Sequence, residues 1–180
     1  MGQQHNKPRS WTARLMRVLR HRLGWDEGDA RRLLPPAALE RLQQRVAASE
    51  AAHSGEIRLC IEAGLPLSYL WRDAAPRERA VAMFGKLRVW DTEANNGVLI
   101  YLLLAEHAIE LVVDRGLARH VDAARWQAIV AELSDAFRAK RYEDGLLHAV
   151  EHVDALLRQH FPLAAGVANP NELPDRPHLQ

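Results

Sequence analysis

Asp91-Thr92-Glu93-Ala94-Asn95-Asn96-Gly97 runs straight into Val98-Leu99-Ile100-Tyr101-Leu102-Leu103-Leu104-Ala105, and this junction decides the fold. Eight consecutive apolar residues are too few to span a bilayer. They suit a central strand covered on both faces. The polar stretch before them suits a loop, because Asn95, Asn96 and Gly97 tolerate the left-handed backbone that tight turns need.

Working outward, Glu106-His107 reads as a tight turn, after which Ala108 to Val113 returns as an antiparallel neighbour. Asp114-Arg115-Gly116-Leu117 closes that hairpin. An antiparallel return carries Asp114 back toward the start of the 97–105 strand, and so toward Asp91 to Asn96. Upstream, Glu56 to Ala63 alternates strictly, with Ile57, Leu59 and Ile61 against Glu56, Arg58, Cys60 and Glu62. That pattern predicts a half-covered strand. Gly64 to Asp73 reads as a loop.

Helical spacing fills the rest. Pro36 opens a helix to about Ala52, and Pro76 opens another with Ala80, Met83, Phe84 and Leu87 on one side. Asp122 to about Lys140 aligns Trp126, Ile129, Val130, Leu133 and Phe137, and Tyr142 to about His160 aligns Leu146, Val150, Val153 and Leu157. Helices on both faces of a small mixed sheet satisfy this order. Near the start, Trp11 to Leu23 predicts an amphipathic helix. Trp11, Leu15, Val18, Leu19 and Leu23 share one face, and Arg14, Arg17, Arg20 and His21 the other.

The 180 residues, 48% of them hydrophobic, fit one domain with short extensions. The division expected is a basic amphipathic arm over 1–34, a domain over 35–162 and a flexible tail over 163–180, with residues 1–10 unstructured. The net charge of +1 gives no push toward nucleic acid. Its distribution is uneven, however. Residues 1–32 hold eight Lys and Arg against three Asp and Glu, so the arm carries +5 and the rest −4. The arm therefore admits two readings, docking on the domain or a partner protein, or contact through residues 11–25 with an anionic membrane. No uninterrupted apolar signal core precedes it, so the expected location is cytoplasmic, with peripheral association to the inner membrane.

Chemistry-bearing candidates are few. The 91–97 loop gathers two carboxylates and two amides, an oxygen-rich set that suits Ca²⁺ or Mg²⁺. It is not an EF-hand, since glycine stands seventh and Leu102 occupies the twelfth place. A polar turn explains the same residues. His148 and His152 have helical metal-pair spacing but no accompanying third ligand motif. Cys60 reads as a passive core thiol. Absent nucleophile elbow, P-loop and dinucleotide fingerprints remove the usual hydrolase, NTPase and dehydrogenase readings.

From Gly55 to Leu157 the chain resembles the TPM domain, shared by YgcG-like bacterial proteins, a thylakoid-lumen photosystem II repair protein and a worm receptor modulator. The motifs carrying the resemblance are Ser54-Gly55-Glu56-Ile57, Asp91 through Ile100, Asp114-Arg115-Gly116-Leu117, and Phe137 through Tyr142 to Gly145-Leu146. The resemblance implies a three-layer α/β/α sandwich around a small mixed sheet, preceded here by N-terminal helices. It also implies a divalent cation, usually Ca²⁺, with Asp91, Asn95 and Asn96 as ligands and Asp114 as a further one. Many relatives have aspartate where this chain has Asn95, and commonly glycine where it has Asp114. Some members are described as acid phosphatases. The function expected is a non-catalytic binding or scaffold module, Ca²⁺-responsive and peripherally membrane-associated; the alternative is a metal-assisted phosphatase with Arg115 meeting phosphate.

Overall fold

A computed structural model describes residues 10–180 apart from 26, 165 and 168. Strands β1 (Ile57–Glu62) and β2 (Val98–Leu103) form its parallel centre, with Ile57 opposite Val98 and Glu62 opposite Leu103. Strand β3 (Ala108–Val113) returns antiparallel to β2. The turn between them ends at His107, whose φ of 49° is left-handed. A short β4 (His178–Leu179) lies parallel on the other side of β1, so the order is β3-β2-β1-β4.

Period-2 alternation sends each strand's side chains to two faces. On one face Ile57, Leu59, Ile61, Val98, Ile100 and Leu102 meet a layer of α3 (Pro36–Glu50), α7 (Ala123–Arg138) and α8 (Tyr142–His160), with α2 (Glu27–Leu33) beside them. On the other, Cys60, Leu99, Tyr101 and Leu103 meet Ala80 and Met83 of α5 (Pro76–Lys86) and the buried Leu65, Leu70, Val89 and Leu173. The molecule is a three-layer α/β/α sandwich. The strongest strand in the sequence is the sheet's most completely buried member, as its unbroken apolar run requires.

Three expectations are corrected. Strand β1 is not half-covered: all six residues are buried, including Arg58 and Glu62. Alternation here marks two covered faces, because each charge has found a partner inside. The 169–180 part of the tail is not free either. Leu173 is buried, β4 extends the sheet, and Arg58 donates to the carbonyls of Pro174 and Arg176. The Gly64–Asp73 loop also contains a short helix, α4 (Leu67–Trp71). The expectation of an unstructured stretch over 1–10 falls, for residues 1–9, outside the described residues.

Glu62 is held by a compact network. Arg79 of α5 forks onto Glu62, with Nε 2.9 Å from Oε2 and Nη2 2.7 Å from Oε1, and the Tyr101 hydroxyl donates to Oε2 at 2.6 Å. Burial and the neighbouring Glu62 push the Tyr101 hydroxyl pKa upward, which keeps it a donor. Removing one partner of a buried ion pair leaves an uncompensated charge. Arg79→Leu is therefore expected to cost about 3–5 kcal/mol in denaturant unfolding. Tyr101→Phe should cost less, about 1–3 kcal/mol, because Arg79 still neutralises Glu62.

Candidate functional site

The 91–97 loop and the end of β3 meet at the amino-terminal edge of β2. Asp114 N–H donates to the Gly97 carbonyl at 2.9 Å, and Gly116 N–H to the Asn95 carbonyl at 2.8 Å. Asn95 adopts φ 51°, the left-handed geometry its side chain tolerates. Thr92 Oγ1 accepts from Asn96 N–H at 3.1 Å and closes the loop on itself. Two glycines permit this convergence. A Cβ on Gly97 would stand 2.0 Å from the Val89 carbonyl oxygen, and one on Gly116 2.3 Å from that of Asn95.

The four anticipated ligands behave differently. Asp91 is half-exposed and paired with Arg88. Asn95 Oδ1 accepts from Arg115 Nε at 3.0 Å. Asn96 is fully buried; its Nδ2 donates to Ser54 Oγ at 3.3 Å, but its Oδ1 has no hydrogen-bond partner. Asp114 caps α6 (Arg115–Ala118) with one oxygen, donated to by Arg115 N–H at 2.6 Å, and its buried Oδ2 has no partner. Buried oxygens left without a donor call for an explanation, and an unseen cation is one. A divalent ion would find one free oxygen on Asn96 and one on Asp114. It does not fit Asp91 and Asn95 as they stand, because a guanidinium already faces each. Arg115, the proposed phosphate contact, is likewise engaged. Among the described residues, no group of three His, Cys, Asp or Glu side chains is placed to hold a metal.

Sequence reasoning missed a second polar cluster at the same end of the sheet. Glu56, fully buried, accepts from Asn169 Nδ2 and Leu173 N–H, each at 3.1 Å. Glu172 of the same tail accepts from Glu93 N–H at 3.0 Å, tying the tail to the loop. Glu50, at the end of α3, accepts from Ile57 N–H at 2.8 Å. The signal available was the acidic spacing of Glu50 and Glu56 around a turn, together with one leucine in a proline-rich tail. A cavity of about 550 Å³ lies elsewhere, between α2, α3 and the tail, lined by Arg58, Arg176 and His178 among others.

The other candidates recede. Burial first, and the nearby Glu62 second, push the Cys60 thiol up to about 12, which keeps it in the protonated form. His152 approaches Glu132 at 3.4 Å across α7 and α8.

The amino-terminal helix α1 (Trp11–Leu23) docks on the domain beside α4. Its polar face is the docked one, with Val18 alone of the apolar face packed partly against the core. Arg17, 6% exposed, donates through Nε to Glu106 at 2.5 Å, through Nη1 to Asp73 at 3.2 Å and through Nη2 to the Ala74 carbonyl at 2.7 Å. His21 accepts from Leu65 N–H at Nδ1, 3.0 Å away, so the proton sits on Nε2 and is donated to Glu106 at 3.0 Å. Burial alone would raise the Glu106 carboxyl, but the His21 and Arg17 bonds outweigh it and hold its pKa below the usual range. Meanwhile Trp11 is 76% exposed and Leu23 81%, with Leu15, Met16 and Leu19 exposed between them. Leu67 and Trp71 of the adjacent α4 are exposed too.

A family model described as the TPM domain matches residues 28–156. No curated protein matches the chain. The NMR structure of the BA42 protein from the psychrophilic bacterium Bizionia argentinensis matches with a TM-score of 0.71 at 22% identity, covering 82% of this chain and 95% of that one. At that identity the likeness carries the fold. Within it, the loop's close backbone approach leaves no room for a side chain at position 97. Gly97→Ala is expected to destabilise the domain by about 1–3 kcal/mol or more, read as a lower denaturation midpoint with an unchanged slope.

Proposed function

The chain belongs to the TPM domain family, and from that premise we propose that it is a non-catalytic module that docks on an anionic membrane surface through α1. One observation carries the reading: α1 buries Arg17 and His21 and turns Trp11, Leu15, Leu19 and Leu23 outward. A helix that merely packed on its own domain would do the reverse. Exposed apolar patches rimmed by polar residues mark interaction surfaces. Of the exposed cations of α1, Arg20 borders the apolar stripe and Arg22 falls within it. Tryptophan, leucine and arginine on one outward face match the composition of helices that lie in the membrane interface. No described helix is long and apolar enough to cross a membrane, so contact through this face would be peripheral.

The cation-responsive part of the reading rests on the unpartnered oxygens of Asn96 and Asp114. Asn95 in place of a carboxylate, and the Arg88 and Arg115 neighbours, favour weak binding there. The phosphatase alternative has less support, since Arg115 is committed to Asn95 and Asp91 to Arg88.

Vesicle co-sedimentation tests the docking. The full chain should pellet with vesicles containing phosphatidylglycerol and not with phosphatidylcholine alone, and 0.5 M salt should weaken it. Trp11→Ser with Leu19→Gln should reduce the bound fraction at least several-fold while leaving the thermal midpoint unchanged. Equal pelleting by the double variant rules the face out, and so does a wild-type dimer that this variant converts to a monomer without any vesicle binding. The loop has its own readout. Millimolar Ca²⁺ should shift the backbone amide resonances of Asn96 and Asp114 in wild type and not in Asp114→Asn. Unmoved wild-type resonances would remove the cation from the loop.

A further inference from the structure

The cavity beneath the tail has polar side chains that neither the docking helix nor the loop accounts for. It measures about 350 Å³ and is lined by Ala47, Glu50, Ala51, Asn169, Asn171 and Asp175. Every side chain there that can bind an ion does so through oxygen. We propose that this cavity is a divalent-cation site, Ca²⁺ by its ligand set, in which Glu50 from the domain and Asp175, Asn169 and Asn171 from the tail close around the ion.

Glu50 is 4% exposed. One of its oxygens is used by Ile57 N–H, and the other, Oε2, is buried without a hydrogen-bond partner. Asn169 repeats the pattern: Nδ2 donates to Glu56, and Oδ1 is buried without a partner. Two residues facing one cavity from separate parts of the chain thus each leave an oxygen unsatisfied. Asp175 supplies a second carboxylate, held by Asn171 Nδ2 at 2.9 Å. Amide and carboxylate oxygens together are the donors that Ca²⁺ takes, usually six to eight with waters completing the shell.

Electrostatics point the same way. Burial raises the Glu50 carboxyl to about 9, the Ile57 bond opposes this, the negative charges of Glu56 and Asp175 raise it further, and so does a hydrogen bond between the Glu50 and Asp175 carboxyl groups. A carboxyl so placed either keeps a proton or finds a cation. Glu56 is not a ligand, since Asn169 and Leu173 already occupy its two oxygens. Its part is to bring the tail to the cavity. Three of the four ligands lie beyond residue 156, where the family match ends. The family model therefore does not reach most of this site. An ion there would cross-link α3 to the tail and so stabilise β4 and the seat of Leu173.

The test uses the full chain with Ca²⁺ or Mg²⁺ as chloride. Wild type should gain roughly 3–8 °C in thermal midpoint at 5 mM Ca²⁺, as a site of about 10⁻⁴–10⁻³ M gives. Amide exchange at Leu173 and Gln180 should slow at the same time. Glu50→Gln and Asp175→Asn should each lose most of the slowing, whereas Asp114→Asn, in the loop, should keep it. Without ion, Glu50→Gln should be at least as stable as wild type at pH 8, because it removes a buried acid. A raised carboxyl contributes its full stability below about pH 4.5 and loses it as pH climbs to 9. If the ions change neither midpoint nor exchange while stability falls across that window, Glu50 holds a proton and the site is overturned. It is also overturned if both tail-site variants keep the wild-type response, since the ion then binds elsewhere. Vesicle binding by α1 is measured separately, so failure of either reading leaves the other intact.

Discussion

Strand β1 carries Arg58 and Glu62 into a sheet covered on both faces, and Glu56 lies fully buried at its threshold. Ionised groups cannot be left unpaired in such surroundings. Much of the architecture answers that constraint. Glu62 draws Arg79 down from α5 and the Tyr101 hydroxyl across from β2. Arg58 takes the carbonyls of the tail, and Glu56 takes the tail's amides. Once the tail is held in this way, β4 can pair with β1 and Leu173 can enter the core. The buried charges add little net stability compared with apolar residues of the same volume. They do specify which segments go where.

The same principle sets the orientation of α1. Glu106 and Asp73 stand at the rim of the sheet, and Arg17 and His21 satisfy them from a single helical face. A helix can bury only the face that its partner selects. Here the partner selects charge, and the apolar stripe is left in water. Such a stripe costs free energy unless something covers it. The inverted helix is therefore informative in a way that an ordinary docked helix would not be.

At the amino-terminal edge of the sheet, loop and tail form one polar rim. Asn95 and Gly116 hold the loop against β3 through the backbone, and Glu172 fastens it to the tail. The loop's conspicuous acids, Asp91 and Glu93, are not the ones with oxygens to spare. Those belong to Asn96, Asp114, Glu50 and Asn169, three of which flank turns or chain ends. Of the four ligands the sequence suggested, the tertiary structure thus leaves an oxygen free on Asn96 and Asp114, while Asp91 and Asn95 are taken by arginines.

The sequence by itself determined the central strands, the long helices and the layers. Val98–Leu103 could only be a covered central strand, because it offers no polar side to water. The hairpin to Val113, the helices over 36–50, 123–138 and 142–160, and the convergence of Asp114 with the loop all follow from local periodicity and turn chemistry, which neighbouring residues fix among themselves. Tertiary structure alone decided what covers the second face of β1, which face of α1 docks, and where the tail lies. Alternation at Arg58 and Glu62 reads the same whether those charges meet water or buried partners. Amphipathicity in α1 states that two faces differ, not which is wanted. Those outcomes depend on Arg79, Glu106, Asp73 and the tail carbonyls, groups between roughly 17 and 118 positions away in the chain that only folding brings within a hydrogen bond.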